Sequence, residues 1–263
     1  MGNPIAISIH TPKSTDLPTL SRLDIAANAS HPLISQSFTY PFQALKLFLA
    51  HLQFCFERPA TYRICVARLS TRCHRGSGEG NLKLTRSGSA DSGVDVSPIP
   101  PDSLLDDGDD DDATGEVIGF MMWKIRTTPT HMPGEESDDW DWTSQLPKGT
   151  DMKLWKRYTE VMSSDTGIGE GDIEILKLAV LPRYQGRGVG TRLLQTFLRK
   201  VEIESEAGPG LPDDEKIIRV RASRSAKALY EKLGWRMVNQ YTLDLREWGR
   251  ARAYIDFEMV RDA

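Results

Sequence analysis

The stretch LAVLPRYQGRGVGTRLL, residues 178–194, sets Gly186, Gly188 and Gly190 between an apolar strand-like run and an apolar helix-like one. A strand that ends near Leu181 and a helix that begins near Gly188 bring free backbone N–H groups and the positive end of a helix dipole to one point. Such a point binds anions, phosphates above all. Glycine there removes the Cβ atoms that would hold a phosphate off the backbone, and it permits positive φ. Gln185, Arg187 and Arg192 can add donors.

Three phosphate-binding templates compete for this stretch. The P-loop requires Lys and Ser or Thr after its last glycine, and GVGTRL has no Lys. The dinucleotide fingerprint, counted from Gly186 and Gly188, puts Thr191 in its third glycine slot, and KIIRVRAS offers no acid at the next strand's end. The third template, Gln/Arg-x-x-Gly-x-Gly/Ala after a strand ending in Ala-Val-x-Pro, is met by Gln185, Gly188 and Gly190.

A second block, RASRSAKALYEKLGW (residues 221–235), follows at a matching distance, with Ala226, Leu229, Tyr230 and Gly234 in an A-x-x-L-Y-x-x-x-G pattern. Together the two blocks resemble the acetyl-CoA-binding motifs of the GNAT (Gcn5-related) N-acetyltransferase superfamily. The element order is similar too, and the P-x-G-x-D stretch from Pro147 to Asp151 resembles fungal small-molecule members. Two positions depart from the pattern: Ser223 stands where the family has Asn, and Trp235 where it has Phe. Ser223 still donates and accepts but is shorter.

The resemblance implies an α/β fold with a mixed, mostly antiparallel twisted sheet, flanked by helices and holding a splayed central parallel strand pair. It implies direct transfer of an acetyl group from acetyl-CoA to an amine in a ternary complex, without a metal. The cosubstrate would lie along Leu178 and Val180, on Gln185, Gly186, Arg187, Gly188, Val189, Gly190 and Thr191, and against Ser223, Ala226 and Tyr230. The Val180 N–H is the expected oxyanion donor, where charge develops. Tyr230 stands where the family places the phenol that protonates the departing sulfur; spacing alone, on one apolar face with Ala226, Leu229 and Leu233, favours a core tyrosine. Glu174 is the candidate base, and strand alternation would put it on one side with Leu176, Leu178 and Val180. Asp172 and Glu170 are weaker candidates for the same task.

Around these blocks the chain reads as β α α β β (α) β α β α β β, one domain over 1–263 rather than two. Two insertions interrupt it. Residues 71–114 hold ten acidic residues against four basic ones, in a chain whose net charge is −4. Rich in Gly, Ser, Pro and Asp, this segment reads as a disordered, solvated insertion. The second, 127–150, carries Trp140 and Trp142, whose rings must pack on something, so it is expected to lie partly ordered over the domain. With Asp138, Asp139 and Asp141 these tryptophans would suit a cationic or aromatic amine. The resemblance implies acceptor contacts from the early helices and variable loops, here around 25–45, 127–150 and 240–252.

Cys55, Cys65 and Cys73 show no paired or metal-ligand spacing, and the histidines fall outside both blocks. The MGNPIAISIH stretch does not read as a signal peptide, no apolar run approaches the length expected of a membrane span, and no basic stripe with interleaved aromatics is read along the chain. The expected partners are acetyl-CoA and a small-molecule amine, not nucleic acid or membrane, for a cytoplasmic or nuclear monomer or homodimer. Other readings stay open: a protein lysine or N-terminal acetyltransferase, a non-catalytic acyl-CoA-binding protein, or an interaction protein using the acidic insertion. Deleting residues 75–112 separates the last, because an enzyme keeps its turnover and a recruiter loses its partner.

Overall fold

In the computed structural model the strand pattern becomes a seven-stranded sheet in the order β1-β2-β3-β4-β5-β7-β6. The structure describes residues 5–38, 40–70, 115–126, 140–162, 172–207 and 216–262. They belong to one compact unit, Met1–Ser70 with Gly115–Ala263. The acidic insertion, residues 127–139 of the second one, Glu170 and Cys73 lie outside the described residues. The strands are β1 (Ile7–His10), β2 (Tyr62–Leu69), β3 (Val117–Ile125), β4 (Ile173–Val180), β5 (Ile217–Ser223), β6 (Arg236–Leu243) and β7 (Tyr254–Asp262). The helices are α1 (Leu17–Ala27), α2 (Pro32–Gln36), α3 (Pro41–Phe56), α4 (Trp142–Gln145), α5 (Met152–Met162), α6 (Val189–Ala207) and α7 (Lys227–Lys232). The expected order holds, with α2 and α4 added.

Helices cover both faces of the sheet. On one face Leu193, Leu194 and Phe197 of α6 are fully buried against Met121, Trp123, Ile175 and Val220, and α7 adds Tyr230. Burial of each large side chain contributes roughly 1.5–3 kcal/mol. On the other face Leu20 and Leu23 of α1 and Leu52 of α3 pack on Val66, Phe120, Met122 and Ala179. Beside them α5 covers β6 and β7, Leu154 and Trp155 meeting Leu243, Leu245 and Tyr254. That helix starts where the P-x-G-x-D stretch directs it. Gly149 has φ 84°, and the Asp151 carboxylate accepts from Leu154 N–H at 3.0 Å and from the Trp248 indole at 2.8 Å.

All strand pairs are antiparallel except β4–β5. That parallel pairing runs only from Ile173↔Ile218 to Ile175↔Val220, although β4 continues to Val180 and β5 to Ser223. Past Ile175 the two strands part while each stays paired on its outer side, β4 with β3 and β5 with β7. The centre of the sheet therefore holds a wedge that opens toward the C-terminal ends of β4 and β5.

Candidate active site

The glycine stretch leads from the open end of β4 into α6. A 3-10 turn, Pro182–Tyr184, is anchored to β3 because Arg183 and Tyr184 both bind Glu116, Tyr184 Oη at 2.8 Å. Gly186 (φ 69°) and Gly188 (φ 84°) then take left-handed backbone conformations, which side chains other than glycine resist. An added Cβ at either would meet open space, so the constraint is backbone conformation, and the loop surface is bare. The first helical bond runs from Arg192 N–H to Gly188 C=O at 3.0 Å. The N–H groups of Val189, Gly190 and Thr191 precede it and have no intrahelical acceptor.

Gln185 has a different task from a free donor: its amide donates to Val180 C=O at 2.9 Å and ties the loop back to the strand. That bond also reports the direction of the strand's edges. Leu181 N–H donates to Ile118 C=O at 2.9 Å, so by alternation the backbone groups of Val180 and Leu178 turn away from β3. They face the wedge that β5 has left.

The second block closes on the first. A Cβ on Gly190 would stand 3.2 Å from Leu229 Cδ2 and 3.8 Å from Leu178 Cδ2, so glycine lets α7 settle on the start of α6 beside β4. Ala226 begins α7, its N–H bonded to Ser223 C=O at 3.0 Å, and Ser223 Oγ lies 3.0 Å from Ser225 Oγ. Tyr230 is 3% exposed, its ring edge-on to Trp235 with centroids 5.5 Å apart. Its hydroxyl takes no hydrogen-bond partner among the described residues. Burial pushes its ionisation well above the ordinary phenol value, so the group holds its proton at neutral pH.

Glu174 does not share a side with Leu178 and Val180. The β3–β4 register shifts between Met122 and Trp123, and Leu176 is the extra residue of a bulge. The alternation changes phase there: Leu178 and Val180 turn toward α6, while Leu176 packs with the α1–α3 core. Glu174 instead forms an ion pair with Arg126 at 2.7 Å, at the end where β4 and β5 are still paired. Asp172 is buried and accepts from Ile217 N–H at 3.1 Å, fastening the start of β4 to β5.

The second insertion's tryptophans are packed. Trp140 meets Phe54 (5.2 Å between centroids) and His51 (5.6 Å), and Trp142 meets His51 (4.4 Å) and Phe48 (6.0 Å). Asp141 caps α4 through Thr143 N–H at 2.9 Å, while Asp138 and Asp139 lie outside the described residues. Cys55 and Cys65 are free and buried, both thiols pushed by burial to about 12. Among the described residues no group of three or more His, Cys, Asp or Glu is gathered to hold a metal ion, and no helix is long and apolar enough to cross a membrane.

A polar cluster that the sequence reading missed lies under α2 and α5, on the sheet face opposite α6. His31 stands edge-on to Tyr254 (5.0 Å) and Tyr158 (5.4 Å), and Asp256 of β7 is 4% exposed beside them. Burial pushes Asp256 up to about 6, against a hydrogen bond from Tyr254 and the charge of Arg221. Nearby, Lys177 of β4 forms an ion pair with the buried Asp24 at 2.5 Å. The available signal was Lys177 in the apolar run Ile175–Leu181.

A family model described as an acetyltransferase (GNAT) domain matches residues 159–237. A comparison with curated proteins found no match. Among solved structures, the chain is similar to mosquito arylalkylamine N-acetyltransferase like 5b (16% identity, TM-score 0.49), covering 98% of this chain and 100% of that one. It is similar to the PaiA N-acetyltransferase of Thermoplasma acidophilum in complex with coenzyme A (13% identity, TM-score 0.48, 98% and 100% covered). A histone acetyltransferase HPA2 and related acetyltransferase from Corynebacterium glutamicum is similar at 15% identity and TM-score 0.47, with 98% and 97% covered. The matched span runs from the end of α5 through the split strands, the glycine turn, α6 and α7 into β6, and over that span the chain is similar to an acetyltransferase (GNAT) domain.

Proposed function

We propose that the protein transfers an acetyl group from acetyl-CoA to a primary amine on a small molecule, by direct attack with both substrates bound. The observation that carries this is the wedge between β4 and β5, with Leu178 and Val180 turned into it beside the bare Gly186–Gly188 turn and the buried Tyr230. The pyrophosphate rests on the N–H groups at the start of α6, and the pantetheine arm replaces β5 as the partner of Leu178 and Val180. The thioester carbonyl then meets the Val180 N–H, where a developing oxyanion gains most from a fixed donor. Tyr230 gives its proton to the departing sulfur. The β4–β5 split lets the amine approach from the α1–α5 side while the cosubstrate enters from the α6–α7 side.

The test is CoA release from acetyl-CoA over a panel of arylalkylamines, arylamines, polyamines, aminoglycosides and lysine peptides. Turnover confined to small amines is expected. Acetyl-CoA binding without release across the panel would replace this reading with a non-catalytic acyl-CoA-binding one, and turnover confined to peptides would move the acceptor to proteins. Gly188→Val checks the cosubstrate site. A β-branched residue at φ 84° costs about 1–3 kcal/mol of local strain, so the turn reshapes and CoA affinity falls roughly ten- to a hundredfold, as measured by calorimetry.

A further inference from the structure

We propose that Asp256 takes the proton from the acceptor amine, and that its surroundings select an amine arriving as a primary ammonium; this rests on the acetyl-transfer reading above. The position comes from the register. Asp256 pairs with Ser223, the last residue of β5, and the β4–β5 register carried past Ile175↔Val220 brings the Leu178–Val180 stretch level with Ser223. Glu174 lies at the closed end, about 13 Å of strand before Leu178, and its carboxylate is occupied by Arg126.

The face is also the one required. Ile255 and Phe257 pack toward α6, so Asp256 and Tyr254 project to the opposite side, from which the acceptor reaches the wedge. One carboxylate oxygen of Asp256 accepts from Tyr254, while Oδ1 is buried with no hydrogen-bond partner among the described residues. Arg221 of β5 is near enough to act on Asp256 by charge, yet among the described residues it closes no ion pair on it. Its guanidinium donates to Met162 C=O at 2.6 Å and lies over the Tyr241 ring. The other titratable groups that face this point are Tyr158 of α5, Tyr241 and Glu258, which bind each other at 2.7 Å, and His31, which burial holds neutral. A buried carboxylate oxygen without a donor is costly and uncommon, and a substrate ammonium satisfies it. Tyr158, Tyr254 and His31 supply the aromatic walls that suit a cation.

The step balances as follows. The ammonium gives one proton to Asp256, and the freed nitrogen lone pair forms the N–C bond at the thioester carbonyl. The C–S bond breaks and the sulfur takes the Tyr230 proton. The second nitrogen proton restores the phenol, and Asp256 releases its own to solvent. The products are the amide, CoA thiol and one proton.

The experiment measures kcat/KM against pH with 2-phenylethylamine, protonated at neutral pH, and with the weakly basic aniline. Wild type should lose activity on the ammonium substrate as pH falls through about 6. Asp256→Asn should lower kcat/KM for it by about 10²–10⁴-fold and abolish the limb, with CoA affinity unchanged. Tyr254→Phe removes a bond that favours the charged carboxylate, so the limb should move to higher pH. An Asp256→Asn enzyme with wild-type kcat/KM and limb overturns the proposal and leaves acetyl transfer standing. So does a limb that Tyr254→Phe leaves in place, one that Glu174→Gln abolishes instead, or a profile following the amine's own titration. Wild type that binds acetyl-CoA and acetylates neither amine overturns both.

Discussion

Tyr230→Phe should lower kcat for acetyl transfer by about ten- to a thousandfold, overlapping the roughly 10²–10⁴-fold that a positioned general acid typically contributes, with little change in acetyl-CoA binding. The substitution separates chemistry from packing. The ring of Tyr230 fills the core between α7 and the sheet and meets Trp235 edge-on; phenylalanine keeps both contacts. The hydroxyl holds no partner among the described residues, so its removal breaks no hydrogen bond there and should leave the melting temperature almost unchanged. A core tyrosine with no part in the reaction predicts the same unchanged stability and unchanged turnover. Steady-state kinetics beside a thermal melt tell the two apart: wild-type kcat in the phenylalanine variant would remove Tyr230 from the mechanism. The direction of its ionisation fits the proposed task, because a phenol whose anion is disfavoured by burial keeps its proton until a thiolate draws it away.

Tyr230 and the glycine turn were legible in the sequence because their signals are local. Glycine spacing, an apolar strand and a helical repeat fall within one contiguous stretch, and positive φ at Gly186 and Gly188 is the physical requirement behind that spacing. The direction of Glu174 was not legible. A bulge adds one residue without changing the strand's apolar composition, so nothing in IEILKLAVL marks Leu176 as the point where the alternation changes phase. Asp256 was hidden for another reason. In Tyr254-Ile255-Asp256-Phe257-Glu258 the polar positions alternate with apolar ones, which reads as a half-solvated strand. The face is covered by α5, from a distant part of the chain, and a covering layer leaves no trace in the strand it covers. His31 was set aside with the other histidines on the same footing, since only tertiary packing brings it between Tyr158 and Tyr254.

Acidification should destabilise the folded protein by about 3 kcal/mol net between roughly pH 7.5 and 4.5, and two buried histidines are the cause. Burial, assisted by the charge of Lys177, holds His31 at about 4, with Asp24 opposing, and His51 at about 3. Both rings are used in their neutral form. His31 Nδ1 accepts from Leu33 N–H at 3.3 Å, and His51 lies among Trp140, Trp142 and the Cys55 thiol, with Nδ1 buried and without a hydrogen-bond partner among the described residues. The unfolded chain binds protons at these sites below about 6.5 and the folded chain does not, so stability is full above that value and is lost as pH falls toward the folded values. Each histidine accounts for about 2.5 kcal/mol over that range. Asp256 acts with the opposite sign: its folded value of about 6 exceeds the unfolded one, so the folded state takes up a proton first and recovers about 2 kcal/mol. Chemical denaturation at a series of pH values checks the balance. His51→Phe keeps an aromatic ring against Trp142 and removes one titration, so it should roughly halve the histidine part of the slope. Asp256→Asn removes the compensating uptake and should steepen it, and a slope that neither substitution changes would place the acid sensitivity elsewhere in the chain.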